Sequence, residues 1–584
     1  MHAKIYFDGD CPFCARYAQL QRLRQSVDSL ELINLREHPQ DKKRLEQQGF
    51  ELDDGMVLEL DGRQFSGKEA ARQLARLSDD TAWLGRAHKL VLGGSLTASV
   101  VYPALRLGRN ITLFLLGREP LARDTTAQSA WQTLVLMSWG LFAYLHVLVY
   151  AHQFGAEIWP STLAIALLGV ALFYFPLSRH VLAALLIAMV IDAARQMPSL
   201  SNHTILKNFF ITTIVLSGTW HLINGGRWRD TLEDAAPVGR SLLAIMYVFG
   251  VFHKINTDFL NPETSCATSL WLQMPLGLSA ITHPWMAWIA IFGTLVVETV
   301  ILGCLLSTKT RVAGIAMGIA FHSFLALSGY AIYAPFSTLT IVLHLLFLDP
   351  QSAKRIIDSP FGKYVLTRLR TPTGVFASAT WLLLLAALAW NQSYSQLGLL
   401  WLPAPIAICY ALLRYGRSPD LSTEAETATR TFVSRRTWLN IIPLVFFASC
   451  LSPYFGLKTA QSMNMFANLR LESGVSNHLI FSHAPGPFKY LEDVVEITES
   501  TNSVYLDYIR RNDLHLTYYS LLDHLERVPE VTVSYIRNGE LRTNQNAESL
   551  QQEIAAALHP RWLRNIFHFN PVDLRSPKPC ALDR

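Results

Sequence analysis

Eleven stretches of mostly apolar residues fill the middle of this chain, near 129–150, 158–176, 180–194, 205–224, 239–256, 284–307, 311–330, 335–349, 374–391, 397–413 and 437–455. A helix needs about 20 such residues to cross a bilayer core of about 30 Å. Hydrocarbon offers backbone groups no partner but one another, so runs of this length admit little besides helices. Two or three of the stretches are short enough to be re-entrant or strongly tilted. Composition agrees, because only 16% of the residues are charged against about 25% in ordinary globular proteins.

The apolar middle is flanked by segments of normal polarity, which predicts a mixed fold in three parts. Residues 1–123 read as a thioredoxin-like α/β domain, 124–455 as a polytopic all-α membrane bundle of about eleven helices, and 456–584 as a small α+β domain. The net charge of +5 comes without a basic stripe carrying interleaved aromatics, which excludes a nucleic-acid partner. It works instead as a topology signal. With the N-terminus in the cytosol, alternate loops carry Arg179; Arg227, Arg229 and Arg240; Lys309 and Arg311; Lys354, Arg355, Lys363, Arg368 and Arg370; and Arg414, Arg417, Arg430, Arg435 and Arg436. The opposite loops carry only Arg195 and Lys207. The first residues hold no apolar run long enough for a secretory signal. The expectation is a multi-pass protein of a bacterial inner membrane, with the N-terminal domain cytosolic and the region after Tyr454 outside.

In the N-terminal part, residues 4–7 read as a strand that runs into Asp8-Gly9-Asp10 and the pair Cys11-Pro12-Phe13-Cys14. A helix is expected from Cys14 to Arg24, a second strand from Leu30 to Leu35, a hairpin at Asp61-Gly62 and a helix from Gly67 to Leu77. Two cysteines at this spacing, at the start of a helix, can form a disulfide whose exposed sulfur is stabilised as a thiolate by backbone N–H groups and the helix dipole. Cys11 is the candidate attacking sulfur and Cys14 the resolving one. Asp8 or Asp10 is placed to take up or release a proton. A zinc half-site is the competing reading; it lacks a second ligand pair in the domain, so no metal is expected. Residues Trp83 to about Arg123 read as further helices closing the domain.

The run Tyr6-Phe7-Asp8-Gly9-Asp10-Cys11-Pro12-Phe13-Cys14 resembles the signature of the DCC family of thiol-disulfide oxidoreductases, whose Asp-x-x-Cys-x-x-Cys pattern Asp8, Cys11 and Cys14 match. The resemblance covers roughly residues 4–110 and implies exchange with a protein or small-molecule disulfide or dithiol, with no cofactor required. Thioredoxins place a cis-proline before the strand at Val57; this chain has Met56 there.

A second resemblance lies in the membrane part. Val251-Phe252-His253-Lys254-Ile255-Asn256 and Ser201-Asn202-His203-Thr204 are similar to motifs of the horizontally transferred transmembrane domain shared with vitamin-K-dependent gamma-carboxylase. It implies a vitamin K-like quinone as ligand, Lys254 as the base that acts on its reduced form, and His203 near the quinone. Read from physics alone, Lys254 is a snorkelling anchor. The segments Pro453–Thr459, Met465–Arg470 and Ser476–His478 also resemble that family's exit from its last helix, whereas the tail is short for a domain that presents glutamates. With Cys11 cytosolic and Lys254 outside, about 30 Å of hydrocarbon would part the two sites.

Glu298, His322 and His344 are polar residues in apolar stretches, where helix-to-helix hydrogen bonding competes with a catalytic role. Cys266 and Cys580 fall on the outer side, which leaves a disulfide between them open. Cys304, Cys409 and Cys450 read as buried thiols. In the tail, strand-like runs lie at His478–Phe481 and Val531–Ile536, and helix-like runs at 513–527 and 547–558.

Overall fold

The computed structural model describes residues 2–9, 29–50, 52, 55–77, 94, 101–102, 105, 127–153, 160–197, 201–223, 228, 230–331, 333–417, 431–473, 476–560, 564, 567–575, 577 and 580. The chain divides into two compact units: Met1–Ser129 with Ile357–Leu382, and Ala130–Ile356 with Leu383–Arg584.

The first unit is built on a four-stranded sheet. Strands β1 (His2–Phe7) and β2 (Ser29–Asn34) are followed by helix α1 (Pro39–Gln47), strands β3 (Val57–Leu60) and β4 (Arg63–Ser66), and helix α2 (Gly67–Leu77). The order across the sheet is β2-β1-β3-β4, with β1 parallel to β2 and antiparallel to β3. Alternation along β1 makes both faces of the sheet apolar. Ala3, Ile5 and Phe7 pack with Leu58, Leu60, Ala70 and Leu74 on one side, and Tyr6 packs with Ile33, Leu35, Leu45, Leu52 and Val57 on the other. The expected hairpin is present: Asp61 and Gly62 take φ of 45° and 80°, the left-handed pair that a two-residue turn of matching twist requires. The expected helix from Gly67 to Leu77 is α2 itself. The helix expected from Cys14 to Arg24 lies outside the described residues, as do nearly all of those from Trp83 to Arg123.

The second unit is mostly helical. Its elements begin with α3 (Ala127–Gln153), α4 (Pro160–Tyr174), α5 (Arg179–Gln196), α6 (Asn202–Ile223) and α7 (Asp230–Phe252). They continue with α8 (Cys266–Trp271), α9 (Pro284–Leu306), α10 (Arg311–Leu325) and α11 (Tyr333–Leu345). After α12 (Pro350–Asp358), helix α13 (Pro360–Leu369) belongs to the first unit, as does α14 (Pro372–Trp390) up to Leu382, and the second unit resumes with the rest of α14, α15 (Tyr394–Trp401), α16 (Pro403–Tyr415) and α17 (Ile441–Leu451). All eleven apolar stretches are helical over most of their length. Among the described residues, seven segments are long and apolar enough to cross a membrane: Ala127–Tyr150, Asp230–Phe252, Pro284–Leu306, Arg311–Ser328, Pro372–Trp390, Tyr394–Tyr415 and Thr437–Phe455. An eighth is reached if α11 and α12, bent by 111° at their junction, count as one broken span. This is the layout of a multi-pass membrane protein. The other three apolar stretches fall short in length or composition among the described residues. Helix α4 has only 15 residues, α5 carries Arg179, Asp192 and Arg195, and α6 is interrupted by Lys207, Asn208 and several hydroxyl side chains.

Close packing in the bundle depends on small residues. A Cβ on Gly140 would lie 2.5 Å from the Gly169 carbonyl oxygen, so α3 and α4 meet backbone to backbone, as small residues permit in membranes.

The tail folds as expected into an α+β unit, in a different register of elements. Strand β5 (Val494–Thr501) leads to α18 (Val504–Arg511), β6 (His515–Thr517), α19 (Tyr518–Arg527), β7 (Thr532–Arg537), β8 (Glu540–Gln545) and α20 (Gln551–Ala557). The sheet is antiparallel in the order β6-β5-β7-β8 over a core that includes Leu506, Leu516, Leu522 and Tyr535. Two expectations are corrected. Residues His478–Phe481 form no strand; His478 makes one isolated bridge to Asn256, and its Nδ1 accepts the N–H groups of Ile480 and Phe481, which turns the chain. The helix read over 513–527 starts only at Tyr518, because His515–Thr517 are taken as the edge strand beside β5. The Thr517 side chain then caps the helix by accepting from the Ser520 N–H.

Candidate functional site

Two regions carry candidate chemistry. In the first unit, the parallel strands β1 and β2 end side by side, the position where α/β folds place their reacting groups. Asp8 follows β1 directly and is buried. Arg36, just past β2, donates through Nε to Asp8 Oδ1 at 2.7 Å and through Nη2 to Oδ2 at 3.4 Å. Asn34 ties the two strand ends together, its Oδ1 accepting the N–H groups of Gly9 and Arg36. The Asn34 amide lies 2.3 Å from where a Gly9 Cβ would stand. Both oxygens of Asp8 are thus engaged by Arg36, a partner the sequence reading did not name. Asp10, Cys11, Pro12, Phe13 and Cys14 lie outside the described residues. Met56, read as the replacement for a cis-proline, is partly buried beside the β1 face, and its carbonyl accepts the Gly67 N–H.

The second region is a cavity of about 320 Å³ among the helices of the second unit, lined largely by apolar side chains from α7, α8, α9, α10 and α11 and from residues 463–466. Lys254, two residues past the end of α7, is 6% exposed. Its ammonium donates to Glu298 Oε1 at 2.7 Å and to Oε2 at 2.6 Å, and it lies 5.8 Å from the Phe259 ring centre. Lys254 is therefore no snorkelling anchor. It closes an ion pair with the only acidic residue of α9, and both partners line the cavity. The signal for this was present in the sequence, since an acid in so apolar a helix needs a buried partner.

The backbone around Lys254 is fixed from several directions. His253 Nε2 donates to the Ser462 carbonyl, so its Nδ1 accepts from the Tyr454 hydroxyl. Asn256 donates to the Ala467 carbonyl and accepts from the Phe259 N–H. Asn477 donates to Asp258 and to the Asn468 carbonyl. The segments around 454, 465–470 and 476–478, singled out for their resemblance, thus brace the turn that carries Lys254.

His322 and Tyr247 also line the cavity. The His344 Nδ1–H can only donate to the Thr340 carbonyl. In a neutral ring this leaves Nε2 as acceptor for the Tyr247 hydroxyl, whose oxygen then accepts from His322 Nε2. Gly318 makes room for this array, since a Cβ there would lie 2.0 Å from His344 Nε2. Both histidines face the bundle interior, as expected.

His203 is placed apart from the cavity lining. The resemblance places it near the same quinone as Lys254; it is fully buried, and the neighbouring Asn202 rather than His203 lines the cavity. Its Nε2 meets His146 Nδ1 at 3.3 Å and its Nδ1 meets Ser201 Oγ at 2.8 Å. Lys207, read as a loop charge, is also fully buried and donates to His146 Nε2 at 3.1 Å. The cause is helical spacing: Lys207 lies four residues after His203, on one face of α6.

Cys266 and Cys580 form a disulfide. Cys304, Cys409 and Cys450 are free, and Cys450 is buried. No group of three or more metal-ligating side chains occurs among the described residues.

No curated protein and no solved structure matches the chain. Residues 5–112 match the family model of the DCC1-like thiol-disulfide oxidoreductases.

Proposed function

We propose that the protein is a membrane-anchored thiol-disulfide oxidoreductase of the protein-disulfide reductase type, with Cys11 and Cys14 as its redox pair. The Cys11 thiolate attacks one sulfur of a substrate disulfide, which forms a mixed disulfide and releases the other sulfur as a thiolate. Cys14 then attacks the Cys11 sulfur, releasing the second substrate thiol and leaving Cys11 and Cys14 joined; two electrons pass to the substrate. The match of residues 5–112 to a thiol-disulfide oxidoreductase family carries this reading. The strand order β2-β1-β3-β4, with Asp8 held by Arg36 at the end of β1, supports it. The test is trapping. A Cys14→Ser variant should accumulate a dithiothreitol-sensitive adduct on Cys11, and the adduct should vanish in Cys11→Ser, Cys14→Ser. Absence of any adduct, with model disulfides left unreduced by the wild-type protein, overturns the reading.

A second reading is favoured by the cavity: a carboxylase-like activity on a reduced, vitamin K-like quinone, with Lys254 as base and the dithiol domain as source of reducing equivalents. A largely apolar chamber that holds one buried, charge-balanced Lys254–Glu298 pair suits a lipophilic ligand with a polar edge. For Lys254 to act as base, a proton must first pass from Nζ to Glu298, so Glu298 enters this reading beside it. His203 enters only through its neighbour Asn202. Lys254→Met should abolish oxidation of an added quinol while Cys11→Ser, Cys14→Ser retains it; unchanged oxidation in Lys254→Met sinks this second reading alone.

A further inference from the structure

At one end of the bundle, two ten-residue loops contain no Asp, Glu, Lys or Arg: residues 272–281 and 479–488. The first runs from α8 to the start of α9, and the Trp271 Nε1–H donates to the Ile281 carbonyl across its base. Its tip turns through positive φ at Leu276 and Gly277, leaving Leu276 76% exposed. The second is pinned to helix ends. The Leu479 N–H donates to the Ile255 carbonyl just past α7, and the Gly486 N–H donates to the Tyr454 carbonyl at the end of the segment Thr437–Phe455. Leu479 and Ile480 are 57% and 60% exposed, and Phe488 and Phe455 are exposed as well. Both loops therefore hang from ends of helices that are long and apolar enough to cross a membrane.

Water is a poor neighbour for such a surface. Loops that face water are rich in polar and charged residues, and contiguous exposed apolar patches mark an interaction site. The interfacial layer of a bilayer suits them, because apolar side chains are stabilised there while the adjoining backbone still finds polar partners. Trp285 and Trp288, exposed in the first turns of α9, stand where interfacial aromatic belts are found.

We infer that loops 272–281 and 479–488 insert into the lipid interface as a collar around this end of the bundle, so that the C-terminal domain is seated on the membrane surface. The partner is the lipid itself, by continuity with the spans from which the loops hang. The collar also reaches the cavity: Trp271 and Met274 belong to its wall, as do the exposed residues Ile289 of α9 and Phe324 of α10. One apolar surface thus runs from the lipid-facing side to the chamber of Lys254, whatever chemistry that chamber performs.

The test is spin labelling of the full chain in lipid nanodiscs, with the five cysteines outside the Cys266–Cys580 bridge replaced. Labels at Leu276→Cys and Ile480→Cys should collide several-fold more with oxygen than with a water-soluble nickel chelate, relative to a label at Val504→Cys, which is 90% exposed on the C-terminal domain. A nickel accessibility equal to that at Val504→Cys overturns the inference. Shielding from both relaxants also overturns it, since that result identifies a protein partner instead.

Discussion

Two lysines are buried in the same helical unit, and their surroundings differ. Lys254 meets a carboxylate with both its oxygens in reach and borders a cavity. Lys207 meets an imidazole, has no carboxylate within 4.0 Å among the described residues, and sits in a closed cluster with His146, His203 and Ser201. Removing an ion from water costs several kcal/mol, which a counter-charge largely offsets and a single imidazole acceptor does not. The difference teaches that burial alone does not mark a reactive lysine. Lys254 combines a charge-balancing partner at 2.6 Å with open space beside it; Lys207 feels the charge of Asp192 only without direct contact, and it does not line the cavity.

The sharpest way to break this contrast is to strip each lysine of its partner. Glu298→Ala leaves an unmatched buried ammonium and should lower stability by about 3–5 kcal/mol, read as a loss of thermal stability in nanodiscs. The double variant Lys254→Met, Glu298→Leu should recover most of it, and a double variant as unstable as Glu298→Ala would show that the pair is not the cause. The next effect in size concerns the wall of the cavity. Cys266 opens α8, whose residues Ala267, Leu270 and Trp271 line the chamber, so Cys266→Ser, Cys580→Ser should cost about 2–4 kcal/mol. Any loosening should be centred on the Lys254 end, visible as faster amide exchange at 264–272 and none at 202–208; equal change at both would remove the distinction.

At Lys207 the expected effect is smaller. Lys207→Met loses one hydrogen bond worth about 1 kcal/mol but also removes a poorly matched polar group, so the net change should stay within about 1 kcal/mol in either direction. A loss comparable to that of Glu298→Ala would mean that the Asp192 charge, without direct contact, stabilises Lys207 as strongly as a contacting carboxylate.

A separate effect, spread over a pH range rather than set by one substitution, is a pH dependence in the C-terminal region, where Lys458 is a third buried lysine. It donates to Ser449 Oγ and the Gln461 carbonyl, and burial pushes it down to about 8 from 10.5. Between those values the unfolded chain keeps a proton that the folded chain has lost, so stability rises with pH from 8 to 10.5. Burial, aided by Lys458, likewise pushes His568 down to about 4 from 6.5. Its contribution is complete above 6.5 and is lost as pH falls from 6.5 to 4. Each slope should be no more than one proton in denaturation followed across pH, and each should disappear in Lys458→Met and His568→Phe respectively.

The legibility of the chain follows the range of the forces involved. The Asp61-Gly62 turn, the helix that opens at Gly67 and the apolar stretches are local, written in backbone preference and hydropathy along a few residues. The strand read at His478 failed because its side chain bonds to neighbouring N–H groups and to the Phe252 carbonyl, a partner more than two hundred residues away. The edge strand His515–Thr517 was read as helix because its competing partner, β5, lies outside any local window. Glu298 and Lys254 were each legible as unusual polar residues, but not as partners across 44 residues.

The sequence by itself determined where the chain is apolar enough for lipid, where the turn at Asp61-Gly62 falls, and that two cysteines stand three positions apart near its start, because these depend on residue identity and short spacing. Only the tertiary structure decided that Lys254 faces Glu298 across a cavity, that His203 turns away toward His146, and that Cys266 meets Cys580. Those outcomes depend on which helix faces touch, and charges, rings and thiols act only through the few ångströms that folding sets between them.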